Sequence, residues 1–318
     1  MAYALNIATG HYALSAPGPS WESVTDEMEN SDNRDTEQNL DEIKYVSLHI
    51  FSVGSGESNT VPFSAGLVLK MRDHDLEGEL QDLMDHGGNL WVVGDIHGYY
   101  DSFVKLVSKL DLDDGDVVVS IGDMIDGGPE SVGVVDLFIE NDHFLAILGN
   151  HEQMLLDYWN KKSKFDLINL KSDGFWASKN PLDRNRKSTI VEYLSKLPTE
   201  IVLEKFRLVH AGYRDFPYSS SLDEQSDEDR LWSRDIFTVR YPFDQRRTVI
   251  VGHTTIQNFG LTEDNSVWRS EILLEDGRDS AIGIDSGIKL HSDQNPRVTA
   301  IELNSGRIIS QRKIEHET

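Results

Sequence analysis

From residue 89 onward, short apolar runs alternate with stretches of helical spacing. LWVVGD, DVVVSIGD and FLAILGNHE have the look of buried strands, ending in Gly-Asp, Gly-Asp and Gly-Asn-His-Glu. FVKLVSKL over 103–110 and SVGVVDLFI over 131–139 place their apolar residues on one helical face, and a further helix is predicted over 152–159. Strands alternating with helices in this way predict βαβ units and a largely parallel arrangement. Polar clusters fall just after the strands, where open α/β sheets bind their ligands.

The second half is less regular. Residues 190–197 have helical spacing, and FRLVHAG, TVIVGHT and AIGIDSG are three more strands followed by polar residues. RVTAIELNSGRII predicts a terminal hairpin turning at Asn304, Ser305 and Gly306. The acidic run LDEQSDEDR over 222–230 predicts an exposed loop. Ahead of residue 89 the character changes. Residues 21–42 are polar, acidic and without period, as in a solvated linker or mobile loop. Residues 43–54 and 64–71 are strand candidates, and 75–84 a short helix.

Charge changes the picture. Among 318 residues, 30 are Lys or Arg and 55 are Asp or Glu, a formal net charge of −25. That balance argues against nucleic acid as a partner, because phosphate backbones are gripped by Lys/Arg clusters. An anionic substrate would need a local reversal of sign, which bound divalent cations supply. There is no cysteine, so disulfides and thiolate ligands are excluded, and a cytoplasmic location is expected. No apolar run approaches the roughly 20 residues that span a bilayer, so no membrane association is expected. The N-terminus lacks the basic segment of a secretory signal.

The strand ends collect Asp95 and His97 in GDIHG, Asp123 and Asp126 in GDMIDGG, Asn150 and His151 in GNHE, His210 in HAG and His253 in GHT. Oxygen and imidazole ligands without sulfur suit Mn, Fe, Zn or Mg. The flanking glycines let backbone come close to an ion. Trp159 and Trp176 are expected to pack rather than to stack on a base, and His143 matches no motif.

The ordered set GDIHG, GDxxDxG, GNHE, HAG and GHT resembles the metallophosphoesterases of the phosphoprotein phosphatase type (the calcineurin-like superfamily). Within them it is most similar to the bacterial and bacteriophage serine/threonine protein phosphatases. The likeness runs from about residue 90 to 309. It implies an α/β fold, a β-sandwich of two mixed sheets flanked by helices. Residues 89–318 would be the catalytic domain, and 1–88 an acidic extension or small subdomain of unknown fold. The cofactors implied are two divalent metal ions, Mn in first place, with Fe, Zn or Mg as alternatives. Asp95, His97 and Asp123 would hold one ion. Asp123 would bridge to the second, completed by Asn150, His210 and His253. A hydroxide bridging the ions would attack phosphorus directly. His151 would be the general acid, with Asp126 accepting its other ring N–H.

The chain departs from the pattern at one place. The family motif Gly-Asp-x-x-Asp-Arg-Gly carries an arginine that grips the phosphoryl oxygens, and here that position is Gly127. Arg234 in LWSRD matches the family's Trp-x-Arg element and is the leading phosphate clamp, with Asn150 beside it and Arg214 as a weaker candidate. The expected substrates are phosphomonoesters, above all phosphoserine and phosphothreonine in proteins. Hydrolases that split diadenosine tetraphosphate symmetrically resemble Gly-Asp-x-x-Ala-Arg-Gly at the second motif, so the second Asp, Asp126, favours the protein-phosphatase branch. Dinucleoside polyphosphate hydrolysis is the alternative. A low-activity phosphate-binding pseudophosphatase is a third reading, motivated by Gly127. Partner recognition through the N-terminal extension is a further expectation.

Overall fold

The computed structural model describes residues 4–5, 14–15, 72–160, 183–215 and 221–315. The chain falls into two compact units, Met1–Gly66 and Leu67–Thr318. In the first unit the described residues form one antiparallel pair, β1 (Ala4–Leu5) and β2 (Leu14–Ser15). The acidic stretch 21–42 and the strand candidates 43–54 and 64–71 lie outside the described residues, as does Trp176.

In the second unit, Val- and Ile-rich runs buried on both faces make the parallel strands. β3 (Leu90–Val93), β4 (Val117–Ser120) and β5 (Phe144–Ala146) are parallel neighbours. β11 (Arg297–Glu302) and β12 (Ile308–Arg312) add antiparallel strands on the β3 side, giving the order β12-β11-β3-β4-β5. The hairpin joining β11 to β12 forms as its sequence predicts. A second five-stranded sheet has the order β6-β7-β8-β10-β9. Its strands are β6 (Glu200–Val202), β7 (Phe206–Val209), β8 (Thr248–Val251), β9 (Trp268–Arg269) and β10 (Ala281–Gly283). β7, β8 and β10 run parallel, while β6 and β9 are antiparallel edges. Both sheets are therefore mixed: parallel pairing reaches the β5 edge of the first and is central in the second.

Side-chain alternation along the strands of the first sheet separates two of the three cores. Leu90, Val92 and Val119 of the first sheet meet Ile201, Leu208, Ile250 and Ile282 of the second in the sandwich interior. Trp91, Val93 and Val118 face the opposite way, toward the helices. Those are α2 (Tyr100–Leu110), α3 (Ser131–Glu140), α4 (Asn150–Trp159) and α5 (Arg184–Lys196). Phe103, Leu106, Val134, Leu155 and Ile190 form this layer, and Trp159 packs against it as expected.

The helix predicted over 75–84 is α1 (His74–Asp85), capped by Asp73 Oδ1 accepting from Leu76 N–H at 3.0 Å. Its Leu80 is buried in the sandwich interior, and the half-buried Leu76, Leu83 and Met84 pack against that core. Buried Glu77 accepts from the backbone N–H of Val202 at 2.7 Å. α1 thus belongs to the second unit although it precedes residue 89.

The acidic run over 222–230 corrects the exposed-loop expectation. It holds a single 3₁₀ turn at Leu222–Glu224 and the start of α6 (Asp227–Trp232). Ser226 and Asp229 form a reciprocal capping box. Arg230 is buried and reaches Glu200 of β6 at 3.1 Å. Among the described residues, no helix is long and apolar enough to cross a membrane.

Candidate active site

The parallel strands deliver their carboxyl ends to one edge of the sandwich. Asp95 and His97 follow β3, Asp123 and Asp126 follow β4, and Asn150 opens α4 after β5. His210 follows β7 and His253 follows β8. Residues separated by up to 158 positions meet there: the His253 N–H donates to Asp95 Oδ1 at 3.1 Å. His97 Nε2 lies 3.5 Å from Asp95 Oδ2 and 3.6 Å from Asp123 Oδ2. His210 Nε2 lies 3.4 Å from Asp123 Oδ1 and 2.8 Å from Asn150 Oδ1, and His253 Nδ1 lies 3.0 Å from the same amide oxygen. Two groups have ligand atoms within 4.8 Å of one another: His97, Asp123 and His151, and Asp123, His210 and His253.

The backbone is bent hard to achieve this. His97, Asp123, Asp126 and His253 all adopt positive φ, at 49°, 52°, 69° and 61°. Left-handed backbone at non-glycine residues costs on the order of 1–3 kcal/mol each and clusters at functional sites. The first two motif loops hold each other: His97 N–H donates to Asp123 O at 2.8 Å, and Gly128 N–H to His97 O at 2.7 Å. Fully buried Glu152 fastens the second loop to α4. Its carboxylate accepts from the N–H groups of Asp123, Met124 and Ile125 at 2.8, 2.8 and 3.2 Å, and from Gly149 at 2.9 Å. Gly149 is required there, since a Cβ would collide with the Asp123 backbone nitrogen and carboxylate.

The donor set fits metal ions. His97 Nδ1–H donates to Ile125 O and His210 Nδ1–H to Ile121 O, both at 3.0 Å, which turns each Nε2 lone pair inward. His253 Nε2 is buried with no hydrogen-bond partner, an orphan that an ion would satisfy. Burial keeps His97 and His253 neutral, with pKa values pulled down to about 4 and about 3. Burial, reinforced by the charges of Asp95 and Glu152, raises the Asp123 carboxyl well above the usual range. Asp95 goes the other way: burial would raise it, but hydrogen bonding from His97 and the charge of His210 hold it low.

A carboxyl whose folded pKa is raised stabilises the fold below its unfolded value, and that contribution is lost as pH rises through the folded value. Metal-free protein should therefore lose stability through Asp123 as pH rises above about 4. A metal needs Asp123 ionised, so binding expels that proton and tightens as pH rises. The gain in Tm on adding Mn²⁺ should be larger at pH 8 than at pH 5.5. A gain that is flat or falls with pH would contradict this electrostatic description.

His151 stands at the rim of this cluster. Its Nδ1 lies 2.9 Å from Asp126 Oδ2, and its Nε2 3.9 Å from Asp123 Oδ2. Burial would lower its pKa, but the Asp123 charge and the Asp126 hydrogen bond outweigh that and raise it. Exposed Arg234 makes a 3.5 Å contact with Trp232 O, and its charge is felt at His253, on whose ring Trp232 packs edge-on at 5.8 Å. Arg214 instead places Nε 3.2 Å from Asp229 Oδ1. His143 Nδ1 lies 3.1 Å from the Asp116 carbonyl, outside the cluster.

Three residues of the site carry no assigned role in the motif reading. Glu152 stands in the GNHE motif, so its signal was present. Asp285 follows β10 in AIGIDSG; it is buried, and burial together with the Asp95 charge raises its carboxyl well above the usual range. Lys289 places Nζ 3.4 Å from His151 Nε2. No spacing rule points to it.

A sequence profile described as calcineurin-like phosphoesterase matches residues 88–282. Serine/threonine-protein phosphatase 2 of Salmonella typhimurium is 34% identical over 163 residues, 48% of this chain and 70% of that one. The symmetrical bis(5'-nucleosyl)-tetraphosphatase of Buchnera aphidicola is 31% identical over 123 residues, 34% of this chain and 44% of that one. A solved structure provisionally assigned as a diadenosine tetraphosphatase aligns with a TM-score of 0.50 at 24% identity, over 72% of this chain and 95% of that one, a likeness of fold alone.

Proposed function

The chain belongs to the calcineurin-like phosphoesterases, and on that footing we propose that it is a metal-dependent phosphatase of phosphomonoesters, acting on phosphoserine and phosphothreonine in proteins. The observation that carries this reading is the convergence of inward-facing imidazoles on one buried carboxylate, Asp123. Asp95, His97 and Asp123 would hold one divalent ion. Asp123, Asn150, His210 and His253 would hold the second. Bound ions would polarise the ester and lower the pKa of water beside them. Divalent charge outweighs the carboxylates that hold it, which lets a protein of net charge −25 accept a phosphate ester.

The protein's own groups supply the rest. His151 Nδ1–H is held by Asp126, which fixes the ring and leaves Nε2 to carry the proton for the departing alkoxide. The Lys289 ammonium 3.4 Å from Nε2 would repel a metal ion there, which favours the acid role over ligation. Arg234 stands on the His253 side, where a guanidinium fork can take phosphoryl oxygens. Arg214, engaged with Asp229, is the lesser candidate.

The Asp126–His151 pair favours a phosphomonoesterase. The Buchnera relative gives the second reading, hydrolysis of a dinucleoside polyphosphate. Mn²⁺-loaded protein, assayed for a phosphoserine peptide and diadenosine tetraphosphate side by side, separates them. Faster phosphate release from the peptide is expected. Faster cleavage of the dinucleotide would transfer the assignment. Failure to hydrolyse either, or an aryl phosphate, would leave a phosphate-binding module.

A further inference from the structure

We propose that Lys289 supplies the phosphate-gripping cation that the second motif lacks at Gly127. The inference rests on the phosphatase reading above and adds a substrate-binding residue to it, contributed by a different loop from the one that carries the family arginine.

The two positions share one space. Gly127 lies exposed at the lip of the GDMIDGG loop with φ +104°, a backbone that L side chains rarely adopt. A Cβ built on it would meet Lys289 Cδ at 2.7 Å and Cγ at 3.0 Å. The lysine stem thus lies where a side chain at 127 would begin. The absence of a side chain at 127 and the presence of Lys289 are two halves of one arrangement.

The ammonium is then carried to the reacting side. Nζ sits 3.4 Å from His151 Nε2, the nitrogen facing the leaving group, and its charge acts on His97, His151, His210 and Asp285 together. Among the described residues, no carboxylate forms an ion pair with it. In so acidic a chain, a lysine with no carboxylate ion-paired to it, beside a cluster that would hold divalent cations, is available for an anion.

The loop that bears it is fixed. Ile288, the preceding residue, is fully buried in the helical core layer. Asp285 Oδ1 accepts from Gly287 N–H at 2.9 Å, Ser286 Oγ donates to Arg297 O at 2.9 Å, and Leu290 N–H donates to Gly287 O at 2.9 Å. Lys289 is therefore an exposed side chain on an anchored backbone, ready to meet phosphate without ordering a loop. An ammonium is a point charge with three rotatable donors, where guanidinium is a planar fork. It would hold the phosphoryl oxygens with less demand on their orientation.

Isothermal titration of the Mn²⁺-loaded full chain with inorganic phosphate measures this grip directly. Lys289→Ala should weaken phosphate binding about ten- to a hundredfold, the range for one charge-assisted hydrogen bond, with Mn²⁺ content unchanged. Lys289→Arg should retain most of the affinity. Equal phosphate affinity in wild type and Lys289→Ala overturns the proposal. The two readings fail separately. If the wild type hydrolyses p-nitrophenyl phosphate yet its phosphate affinity ignores Lys289, only the lysine clamp falls. If no phosphomonoester is hydrolysed but Lys289→Ala still loses phosphate, the phosphatase reading falls and the clamp stands.

Discussion

Asp123→Asn should abolish tight binding of both ions and lower phosphomonoester hydrolysis by about a thousandfold or more. Asp123 is the one side chain common to both ligand groups, with Oδ2 toward His97 and Oδ1 toward His210. Stabilisation by bound metal is worth several kcal/mol of transition-state charge, and each 1.36 kcal/mol is tenfold in rate, hence the scale. The substitution keeps shape: the amide oxygen can still accept the His151 N–H that Asp123 Oδ1 accepts at 3.0 Å. It also removes a carboxyl that burial and the neighbouring charges of Asp95 and Glu152 make costly to ionise. Metal-free Asp123→Asn should therefore melt at or above metal-free wild type at pH 8, while gaining far less from added Mn²⁺. Metal analysis after dialysis, with melting curves in both states, reads this out. A variant that keeps two ions and near-normal turnover would remove Asp123 from the bridge.

The site was legible because of where it is built. Parallel strands present their carboxyl ends together, so the candidate ligands at 95, 123, 150, 210 and 253 could be collected from strand-end motifs alone. What escaped depends on pairings between distant segments. The acidic run over 222–230 looks solvated until Arg230, inside it, finds Glu200 and Arg207 finds Asp223. The same partners explain β6: Glu200 accepts from Arg207 at 3.1 Å and from Tyr213 OH at 2.5 Å, so a charged residue sits in a fully buried strand. β9 is two residues long, below any periodic signal. α1 sits ahead of the motif-rich region, yet its buried Leu80 belongs to the sandwich interior. Lys289 is the sharpest instance. The missing arginine at 127 is visible in the motif, but nothing in the sequence says that a residue 162 positions later fills its space; only the packing of the Lys289 stem against Gly127 does.

His151→Asn should leave both ions in place and slow phosphoserine hydrolysis by about a hundred- to ten-thousandfold, the range for loss of a general acid. A poor leaving group such as a serine alkoxide needs a proton as the P–O bond breaks, whereas p-nitrophenolate hardly does. The penalty should shrink markedly along that series. The geometry assigns the proton to one nitrogen. Nδ1 is engaged by Asp126 at 2.9 Å, so the proton delivered must come from Nε2, on the side where Lys289 stands. The Asp123 charge and the Asp126 bond outweigh burial and raise the His151 pKa, so the ring keeps its proton to higher pH than a free imidazole and loses it as pH rises further. In wild type the basic fall of kcat should belong to this group, and in His151→Asn that limb should flatten. The competing role is ligation, since His97, Asp123 and His151 lie within ligand reach of one another. A ligand and an acid part company here: loss of an ion, or an equal penalty for every leaving group, would make His151 a ligand, whereas retained ions with a graded penalty leave Nε2 free to donate.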